Sequence, residues 1–440
     1  MDDNHSFRVM LYLPAQGAAE TDATIIEWLV AEGDRFQKGQ TLAQIDSAKS
    51  VFDFQSPCRG RVIRLLHLES ETVSFSEPVI EIETSDPGMK GWRTLAAGQS
   101  DAALERKVAP AAEVVDSHGQ SAVILGVGGY VPHRIVTNAE LVQRFPHVTE
   151  DYVYQVTGIL QRRWAAEGEK PSDMALAASL EAIRRAGIDN KDIDAVIVAT
   201  TTPDVAMPST ACILQDRLCL PPVPAFDLNA ACSGWLYAVA VARGMILSGM
   251  ARNVLTVGVE MQSRLLDPSD RNAYFLFGDG AGAAIVSAGK VGHRIRQTIL
   301  GCDTRGLHMA RREEPGYCLL NTTDDVDPWI RLDGPALFRA ATEGFAALVR
   351  EALAKTGWIA NETRWVIPHQ ANGRILRAAA KRSGVAPERF FINVERLGNT
   401  SSASIPLALA QVEEQLRPDD KLIFCSIGAG MTTAAISVEW

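Results

Sequence analysis

The sequence predicts an α/β protein in which two similar α/β halves pack together, preceded by a small all-β domain. Apolar β-rich runs such as DIDAVIVATTTPD and NVLTVGVE alternate with runs of helical length and period such as GWLYAVAVARGMILSG. This alternation is typical of a central sheet covered by helices. The block before it, roughly residues 7–84, instead shows several short strands separated by turn signals, which indicates a small barrel or sandwich.

An internal repeat indicates the two halves of the α/β part. RRAGIDNKDIDAVIVATTTPD resembles LAKTGWIANETRWVIPHQAN, and Gly187 of the first matches Gly357 of the second. Asn229 of DLNAACSG matches Asn399 of LGNTSSAS, and both pairs are 170 positions apart. GDGAGAAIVSAG likewise echoes GAGMTTAAISVEW at a smaller offset. Whole α/β units that repeat in this way predict a pseudo-dimer rather than a solenoid.

These patterns predict three segments in the chain. The all-β domain covers 7–84, and the larger α/β domain covers 121–440. Between them, 85–120 lacks sustained alternation and is rich in Ala, Ser, Gly and Asp, which predicts a flexible linker. The two half-repeats of the α/β domain cover about 121–290 and 291–440.

Composition and charge narrow the class of protein. The chain of 440 residues carries 43 Lys and Arg against 53 Asp and Glu, a formal net charge of −10, and an acidic chain is a poor nucleic-acid binder. No run of 18 apolar residues occurs, so we expect no membrane span. The acidic first ten residues lack a basic flank and an apolar segment, which argues against a secretory signal.

The cysteines indicate a reducing compartment, so we expect a cytoplasmic protein. Their number is odd, and no CxxC pair or Cys/His ligand cluster occurs. We therefore expect free thiols and no metal site. The seven are Cys58, Cys212, Cys219, Cys232, Cys302, Cys318 and Cys425.

Cys232, in PAFDLNAACSGWLYAVAVARG, is the candidate nucleophile. A strand-like run precedes it, a helix-like run follows it, and its neighbours are small. Small residues allow a sharp turn and the close approach of a substrate, and the positive end of a helix dipole favours a thiolate. A thiolate there would attack a thioester; the alternative is a buried structural cysteine.

His369 and Asn399 are the candidate partners of Cys232. His369 stands in RWVIPHQANGRI, where a strand delivers it to a strand-to-helix junction. Asn399 stands in RLGNTSSASIPLAL, between a glycine and a run of small hydroxyl residues. Each alone is more typical of a core histidine or a turn-forming asparagine. Their position at matching junctions of the half-repeats favours a shared role.

Residues from about 122 to 440 resemble the ketoacyl-acyl-carrier-protein synthase III family, which has the thiolase fold. The matching stretches are NAACSG, FGDGAGAA, PHQANGRI and GNTSSASIPLAL, with TTTPD and TGI besides. The resemblance implies an acyltransferase of fatty acid or polyketide biosynthesis, with Cys232 as the acylated nucleophile and His369 and Asn399 as catalytic partners. It also implies an oxyanion hole formed by the backbone N–H groups of Cys232 and of Ala429 in the turn GAG.

The implied reaction is a decarboxylative Claisen condensation. Cys232 takes an acyl group from a thioester, and a malonyl thioester loses carbon dioxide and becomes an enolate that attacks the acyl group. The His369 ring and the Asn399 amide can stabilise the enolate oxygen. One alternative is acyl transfer from Cys232 to an oxygen or nitrogen nucleophile, or to a second acyl thioester, without decarboxylation. The other is a non-catalytic carrier or scaffold subunit.

The resemblance also implies an entry channel for a pantetheine arm. Arg271, Asn372 and Arg374 fall on positions similar to those that contact the pantetheine cofactor. The aromatic–arginine pair at the channel mouth is not kept, because Tyr152 and Val156 stand at those positions. This difference favours a donor bound to an acyl carrier protein, with coenzyme A thioesters as the alternative.

The segment RILRAAAKR predicts a basic helix face, because its cations recur at helical spacing. Acyl carrier proteins are acidic, so this face would steer one to the channel; the alternative is an ordinary solvated helix face. The four cations are Arg374, Arg377, Lys381 and Arg382.

Met207, in DVAMPSTA, falls where the family places a residue that reaches the acyl pocket of a partner subunit. The resemblance therefore implies a homodimer with shared pockets. Because methionine is flexible and fills irregular space, Met207 does not reveal the length of the acyl group.

The stretch TIIEWLVAEGDRFQKGQTLAQIDSAKSVFDFQSPCRGRVI resembles a lipoyl/biotinyl attachment domain, over nearly all of 8–84. The resemblance implies Lys49 as the attachment lysine. Ala48 and Ser50 flank it instead of methionines, which favours lipoyl over biotin; an unmodified docking domain is the alternative.

Our hypothesis is that an acyl group, supplied by a 2-oxo acid dehydrogenase or decarboxylase, is carried on Lys49 and passes to Cys232. A flexible linker of about 35 residues would span roughly 30–35 Å.

Overall fold

The computed structural model describes residues 6–13, 22–47, 51–74, 77–86, 89, 121–289, 291–313 and 327–440. The chain divides into two compact units, Met1–Ala111 and Ala112–Trp440. The predicted linker, 85–120, lies almost entirely outside the described residues. None of the helices in the described ranges has the length and apolar character that crossing a membrane requires.

The first unit is built from short antiparallel strands around one apolar core, as its sequence pattern predicts. The strands are β1 (Phe7–Tyr12), β2 (Asp22–Trp28), β3 (Arg35–Phe36), β4 (Thr41–Ser47), β5 (Val51–Gln55), β6 (Gly60–Leu65), β7 (Thr72–Ser74) and β8 (Pro78–Thr84). They form two four-stranded sheets, β1-β8-β6-β3 and β5-β4-β2-β7. Ile25 and Ile45 from one sheet and Ile82 from the other are completely buried in the shared core.

The connection between β4 and β5 carries Lys49. The two strands pair antiparallel, with Asp46 opposite Val51, so this short segment joins neighbouring strands of one sheet. Lys49 itself lies outside the described residues.

The second unit alternates strands and helices. Its strands are β9 (Ala122–Tyr130), β10 (Arg134–Thr137), β11 (Gln161–Trp164), β12 (Ala195–Ala199), β13 (Ala225–Leu228), β14 (Asn253–Met261), β15 (Asp279–Ala288), β16 (His293–Cys302), β17 (Ala310–Arg311), β18 (Arg331–Leu332), β19 (Thr363–Pro368), β20 (Lys421–Gly428) and β21 (Thr432–Glu439). Its helices are α1 (Asn138–Val142), α2 (Glu150–Thr157), α3 (Pro171–Ala186), α4 (Thr210–Arg217), α5 (Gly234–Leu247), α6 (Arg271–Tyr274), α7 (Gly334–Thr356), α8 (Gly373–Ser383), α9 (Val394–Leu397) and α10 (Ser404–Val412).

The main sheet of this unit consists of two half-sheets. Its strand order is β13-β12-β14-β15-β9-β16-β21-β20-β19. Strands β9 and β16, the first of each half, pair only through a short stretch at which His293 lies opposite Ile124. In the first half, β12 pairs parallel with β14, and β14 pairs antiparallel with β15. In the second half, β19 pairs parallel with β20, and β20 pairs antiparallel with β21. The second half therefore repeats the topology of β9, β15, β14 and β12, while β13 has no counterpart among the described strands of the main sheet.

Buried strand residues that pack on alternate faces of the half-sheets produce five layers. In the first half, Ile197 packs against the central helices α5 and α10, whereas Val198 packs against the outer helices α3 and α4. In the second half, Ile367 faces the same central helices and Val366 faces α7 and α8. Because successive strand residues point to opposite faces, both half-sheets are apolar on both sides. The central helices thus lie between two sheets, each covered outside by further helices.

The repeat in the sequence corresponds to this symmetry. Gly187 and Gly357 end the equivalent helices α3 and α7, with φ of 67° and 69°. A left-handed residue after a helix is normally glycine, since it has no Cβ to clash. The prediction of two α/β half-repeats packed as a pseudo-dimer is confirmed.

Glycine in β9 allows α3 to lie directly on the first half-sheet. A Cβ built on Gly128 would lie 2.1 Å from the carbonyl oxygen of Ala178 in α3. Such an atom would meet helix backbone rather than a flexible side chain, so the helix and the strand would have to separate.

We predict that Gly128→Ala lowers the free energy of unfolding of the second unit by about 3 kcal/mol or more, because the added methyl separates α3 from β9. Gly334→Ala is the matched control, since a Cβ there has nothing within 4 Å, and its effect should stay within about 0.5 kcal/mol. Chemical denaturation followed by circular dichroism measures both. Equal stability of the two variants would contradict the close packing.

Candidate active site

Cys232 lies in a sharp turn between β13 and α5. Ala231, just before it, has φ 48°, a left-handed conformation that a residue with a Cβ seldom adopts. The Asn229 side chain accepts a hydrogen bond from the Ala231 N–H at 3.1 Å, which holds the turn. Cys232 as a residue is partly exposed. The prediction of a strand, a tight turn and a helix around this cysteine is confirmed.

The second half-repeat forms the same turn before α10. Ser401, equivalent to Ala231, also has φ 48°, and the Asn399 side chain accepts from the Ser401 N–H at 2.8 Å. The two turns meet, because the Ser401 hydroxyl lies 3.5 Å from the Cys232 sulfur. The symmetry of the fold thus brings together two segments that are 170 positions apart.

His369 lies at the same place, immediately after β19. Its backbone N–H donates to the Cys425 carbonyl at 2.8 Å, which extends the strand pairing by one residue. Its ring Nδ1 lies 2.7 Å from the Ser404 hydroxyl, in the first turn of α10. The His369 ring also forms a hydrogen bond with the Ser401 backbone. The His369 ring is therefore fixed by the same turn that approaches Cys232.

Asn399 completes the cluster. Its amide oxygen holds the turn by accepting from the Ser401 N–H. Its Nδ2 donates at 3.3 Å to the carbonyl of Ala371, which lies two residues after His369. The structure thus places Cys232, His369 and Asn399 around one residue, Ser401. His369 and Asn399 are 1% and 6% exposed.

Burial disfavours charge on both the thiol and the imidazole. Burial raises the pKa of the Cys232 thiol to about 11, although a hydrogen bond from Ser401 opposes the shift. Burial also lowers the pKa of His369 to about 3. The contribution of the helix dipole to the Cys232 thiolate stays a prediction, whereas loss of hydration acts against the thiolate and raises the pKa of the thiol.

Glu260, which the sequence analysis missed, is a buried carboxylate beside this cluster. It lies in β14, is completely buried, and accepts a hydrogen bond from the Ser401 hydroxyl at 3.2 Å. Desolvation raises the pKa of its carboxyl group. A signal was present in NVLTVGVEM, where an acidic residue interrupts an otherwise apolar strand.

The turn GAG approaches Cys232 from the end of β20. A Cβ on Gly428 would lie 2.9 Å from the Cys232 backbone nitrogen. Only glycine allows this approach, which leaves Ala429, the next residue, close to the turn that carries the nucleophile.

The residues predicted to contact pantetheine or a carrier lie mainly on α8. Asn372 begins the helix, and its side-chain oxygen accepts from the Arg374 N–H at 2.8 Å, while its amide donates to the Val156 carbonyl. Arg374 lies over the Phe338 ring, 5.6 Å from the ring centroid. The remaining cations, which are exposed on the same helix, are Arg377, Lys381 and Arg382.

Two further predicted residues lie on the surface of the second unit. Arg271 is exposed at the first position of the short helix α6. Met207 is 84% exposed in the loop before α4. Asp227 in β13 holds the start of α4, directly after that loop, by accepting from the backbone N–H groups of Thr210 and Ala211, both at 2.8 Å.

Comparison with known proteins agrees with this geometry. The family described as 3-oxoacyl-[acyl-carrier-protein (ACP)] synthase III matches residues 226–304, and its C-terminal part matches 353–440. The family described as biotin-requiring enzyme matches 10–82.

Relatives cover the second unit almost completely. A beta-ketoacyl-[acyl-carrier-protein] synthase III of Rhodobacter capsulatus is 41% identical over 324 residues, which is 72% of this chain and 99% of the relative. One from Streptomyces coelicolor is 39% identical over 331 residues, or 73% and 98% of the two chains.

Solved structures agree with these relatives. A synthase III of Thermus thermophilus superposes with a TM-score of 0.68 at 39% identity, covering 72% of this chain and 99% of the other. The priming beta-ketosynthase of the R1128 polyketide pathway gives 0.69 at 34% identity, covering 72% and 96%.

The doubled fold and the paired turns define a thiolase-fold acyltransferase. The chain belongs to the ketoacyl-acyl-carrier-protein synthase III family of condensing enzymes, and it carries in addition an N-terminal domain of the biotin/lipoyl type.

We predict that the His369 imidazole stays neutral as the pH falls from about 7 to about 5, because the folded state holds its pKa at about 3. The Cε1 resonance of 13C-labelled histidine, assigned by its absence in His369→Asn, should not shift over that range. The unfolded chain binds the proton near 6.5, the ordinary value, so this histidine also lowers the free energy of unfolding as the pH drops through that value. A titration midpoint near 6.5 in the folded protein would contradict the prediction.

Proposed function

We propose that the second unit catalyses a decarboxylative Claisen condensation of an acyl group on Cys232 with a malonyl thioester, giving a 3-oxoacyl product. The observation that carries the proposal is the meeting of Cys232, His369 and Asn399 around Ser401 in a chain of the synthase III family. Thiol, imidazole and amide together supply a nucleophile and two neutral hydrogen-bond donors, which acyl loading and enolate stabilisation require.

In the first step, the Cys232 sulfur attacks the carbonyl carbon of an acyl thioester. The tetrahedral intermediate carries charge on oxygen, and the backbone N–H groups of Cys232 and Ala429 are the proposed donors to it. The close approach of Gly428 to the Cys232 backbone supports this assignment. Collapse of the intermediate expels the donor thiol and leaves the acyl group on Cys232.

In the second step, the malonyl thioester loses carbon dioxide, and the electron pair of the broken C–C bond forms an enolate. In the tautomer in which the Ser404 hydroxyl donates to Nδ1, His369 keeps its proton on Nε2 and can donate to the enolate oxygen. Asn399 has a second amide N–H besides the one that binds the Ala371 carbonyl. Because both donors are uncharged, neither needs to be ionised in the buried site.

We further propose that an acidic acyl carrier protein docks on α8. The exposed side of this helix carries Arg377, Lys381 and Arg382, while its other side packs into the core through Leu376 and Ala379. In the described part of the chain, the one ion pair on this face joins Arg382 to Glu343 at 3.9 Å. The cations therefore remain available to an acidic partner, with coenzyme A thioesters as the alternative donors.

We also propose a homodimer in which β13 is the contact strand. This strand lies at the edge of the main sheet, where β12 is its one partner among the described strands, so its other side is open to pairing with a further strand. Phe226 in β13 is 36% exposed, and Met207 in the loop before α4 is 84% exposed. An exposed aromatic side chain on an open edge favours a second copy as the occupant, and we propose that Met207 enters the acyl pocket of the partner.

For the first unit we propose that Lys49 carries a lipoyl group, with biotin as the alternative. In the sequence, Lys49 falls between the antiparallel neighbours β4 and β5, and a segment that joins two neighbouring strands suits an attachment site. A lipoyl group in its reduced form supplies a thiol that can carry an acyl thioester. Cys232 would then take its acyl group from the tethered donor, whose local concentration is in the millimolar range for a flexible linker. A 2-oxo acid dehydrogenase or decarboxylase is the class of enzyme that would charge it.

We predict that Cys232→Ala forms no acyl adduct, whereas His369→Ala and Asn399→Ala keep the adduct but release carbon dioxide about 10²–10³-fold more slowly, the usual effect of removing one such donor. Intact-mass spectrometry after incubation with an acyl thioester measures the first, and carbon dioxide release from a malonyl carrier measures the second. Cys219→Ala, which changes an exposed thiol, is the control.

Two outcomes would overturn this function. Product formation by Cys232→Ala at the wild-type rate would favour the scaffold alternative. Product formation without carbon dioxide release would favour acyl transfer to an oxygen, nitrogen or second thioester acceptor.

We predict that the N-terminal peptide isolated from native material carries a lipoyl mass on Lys49, and that Lys49→Arg removes it. The substitution should abolish loading of Cys232 from the lipoyl donor but leave loading from a soluble acyl thioester unchanged. Lys38→Arg, in the same unit, is the control. Unmodified Lys49 throughout native material would refute the tethered-donor proposal and leave the condensing function standing.

A further inference from the structure

The most unusual group near Cys232 is the carboxylate of Glu260. It is completely buried, yet no ion pair among the described residues includes it. An uncompensated buried carboxylate is costly unless hydrogen bonds satisfy it. Its hydrogen bonds therefore indicate what it does.

The two oxygens of Glu260 have different surroundings. Oε2 accepts from the hydroxyls of Thr201 and Thr202, at 2.7 and 3.0 Å, and from the Gln262 amide at 2.9 Å. Oε1 accepts from the Ser401 hydroxyl at 3.2 Å, and the Thr201 N–H lies 3.2 Å from both oxygens. One oxygen is thus held by the core of its own half-repeat, and the other faces the turn beside Cys232.

Ser401 bridges the carboxylate and the nucleophile. Its hydroxyl lies 3.2 Å from Glu260 Oε1 and 3.5 Å from Cys232 Sγ. A hydroxyl has one proton, so it can donate to only one of them at a time, while its lone pairs accept from the other. The three groups therefore form a continuous path for a proton.

The hydroxyl is not required by the turn that holds it. Ala231 occupies the equivalent position of the first half-repeat with the same φ of 48°. Its turn is held by Asn229 in the same way that Asn399 holds the second turn. The serine is therefore an addition to the second turn, and its hydroxyl points at the sulfur and the carboxylate.

We propose that Glu260, acting through Ser401, takes the proton of the Cys232 thiol as the sulfur attacks the acyl donor. This inference rests on the proposed role of Cys232 as the acylated nucleophile. In the step, the S–H bond breaks and a new O–H bond forms on Ser401, while the original Ser401 proton passes to Glu260 Oε1. The sulfur electron pair forms the C–S bond to the acyl carbon, and expulsion of the donor thiolate, which takes up the proton, returns Glu260 to its ionised form.

Electrostatics favours this route over transfer to His369. A thiolate and a carboxylate joined by one hydroxyl repel each other in a buried site, so the pair holds one proton between them. Moving that proton from sulfur to oxygen leaves the total charge unchanged. Transfer to His369 would instead create a new ion pair, a thiolate and an imidazolium, and separating charge in a low-dielectric site is costly. Burial also lowers the pKa of the His369 ring to about 3, which disfavours the imidazolium.

The test measures the alkylation rate of Cys232 by iodoacetamide at neutral pH, followed by peptide mass spectrometry so that the other cysteines are distinguished. Glu260→Gln and Ser401→Ala should each slow alkylation about 10²-fold, the lower end of general-base effects. The double variant should be no slower than either single one, because each change already interrupts the same path. Thr256→Val, which removes another buried hydroxyl from β14, is the control and should match the wild type.

A second measurement separates a proton path from general damage to the site. Carbon dioxide release by enzyme already acylated on Cys232 should remain within about twofold of wild type, because that step uses His369 and Asn399. Ala231 shows that alanine adopts this backbone conformation, so Ser401→Ala is expected to fold even where Glu260→Gln does not. Wild-type alkylation rates in Ser401→Ala, or additive losses in the double variant, would overturn the relay. Neither result would affect the proposed condensation, which the Cys232→Ala variant tests separately.

Discussion

The close contact between two left-handed turns, one from each half-repeat, is the constraint on which the rest of the structure depends. Ala231 and Ser401 both have φ 48°, a conformation that costs free energy for a residue with a Cβ. The surrounding backbone maintains it, because glycines in two strands let those strands come unusually close to the turns. A Cβ on Gly258 would lie 2.5 Å from the Ser402 carbonyl oxygen, and one on Gly428 would lie 2.9 Å from the Cys232 nitrogen. The glycines and the turns therefore depend on each other.

Placing the turns between two sheets has an electrostatic consequence. The described side chains of the site are a thiol, a neutral imidazole, an amide and a carboxylate, and burial shifts the pKa of each titratable one toward its uncharged form. Charge that develops during acyl transfer must therefore be met by fixed dipoles or by movement of a proton. Backbone N–H groups, the Asn399 amide and the Ser401 hydroxyl are groups of that kind, and their orientation requires little reorganisation during the reaction.

Much of the fold could be predicted because periodicity and repetition report it directly. The run NVLTVGVE predicts β14, and GWLYAVAVARGMILSG predicts α5 within two residues of its observed end. The 170-residue offset predicts equivalent turns at Asn229 and Asn399. The site was less predictable. The argument for a Cys232 thiolate used only the local sequence, whereas the desolvation that raises the pKa of the thiol depends on what surrounds the sulfur in the fold.

The sequence by itself determined the order of strands and helices, the doubling of the unit, and which side chains stand at the ends of strands, because these depend on local spacing and repetition. Tertiary structure decided which side chains meet. Ser401 and Glu260 are separated by 141 positions in the chain, and nothing in either segment indicates the other. Their contact with Cys232 arises because the two half-sheets enclose α5 and α10 and bring both turns to one point, where burial sets the charge of every group.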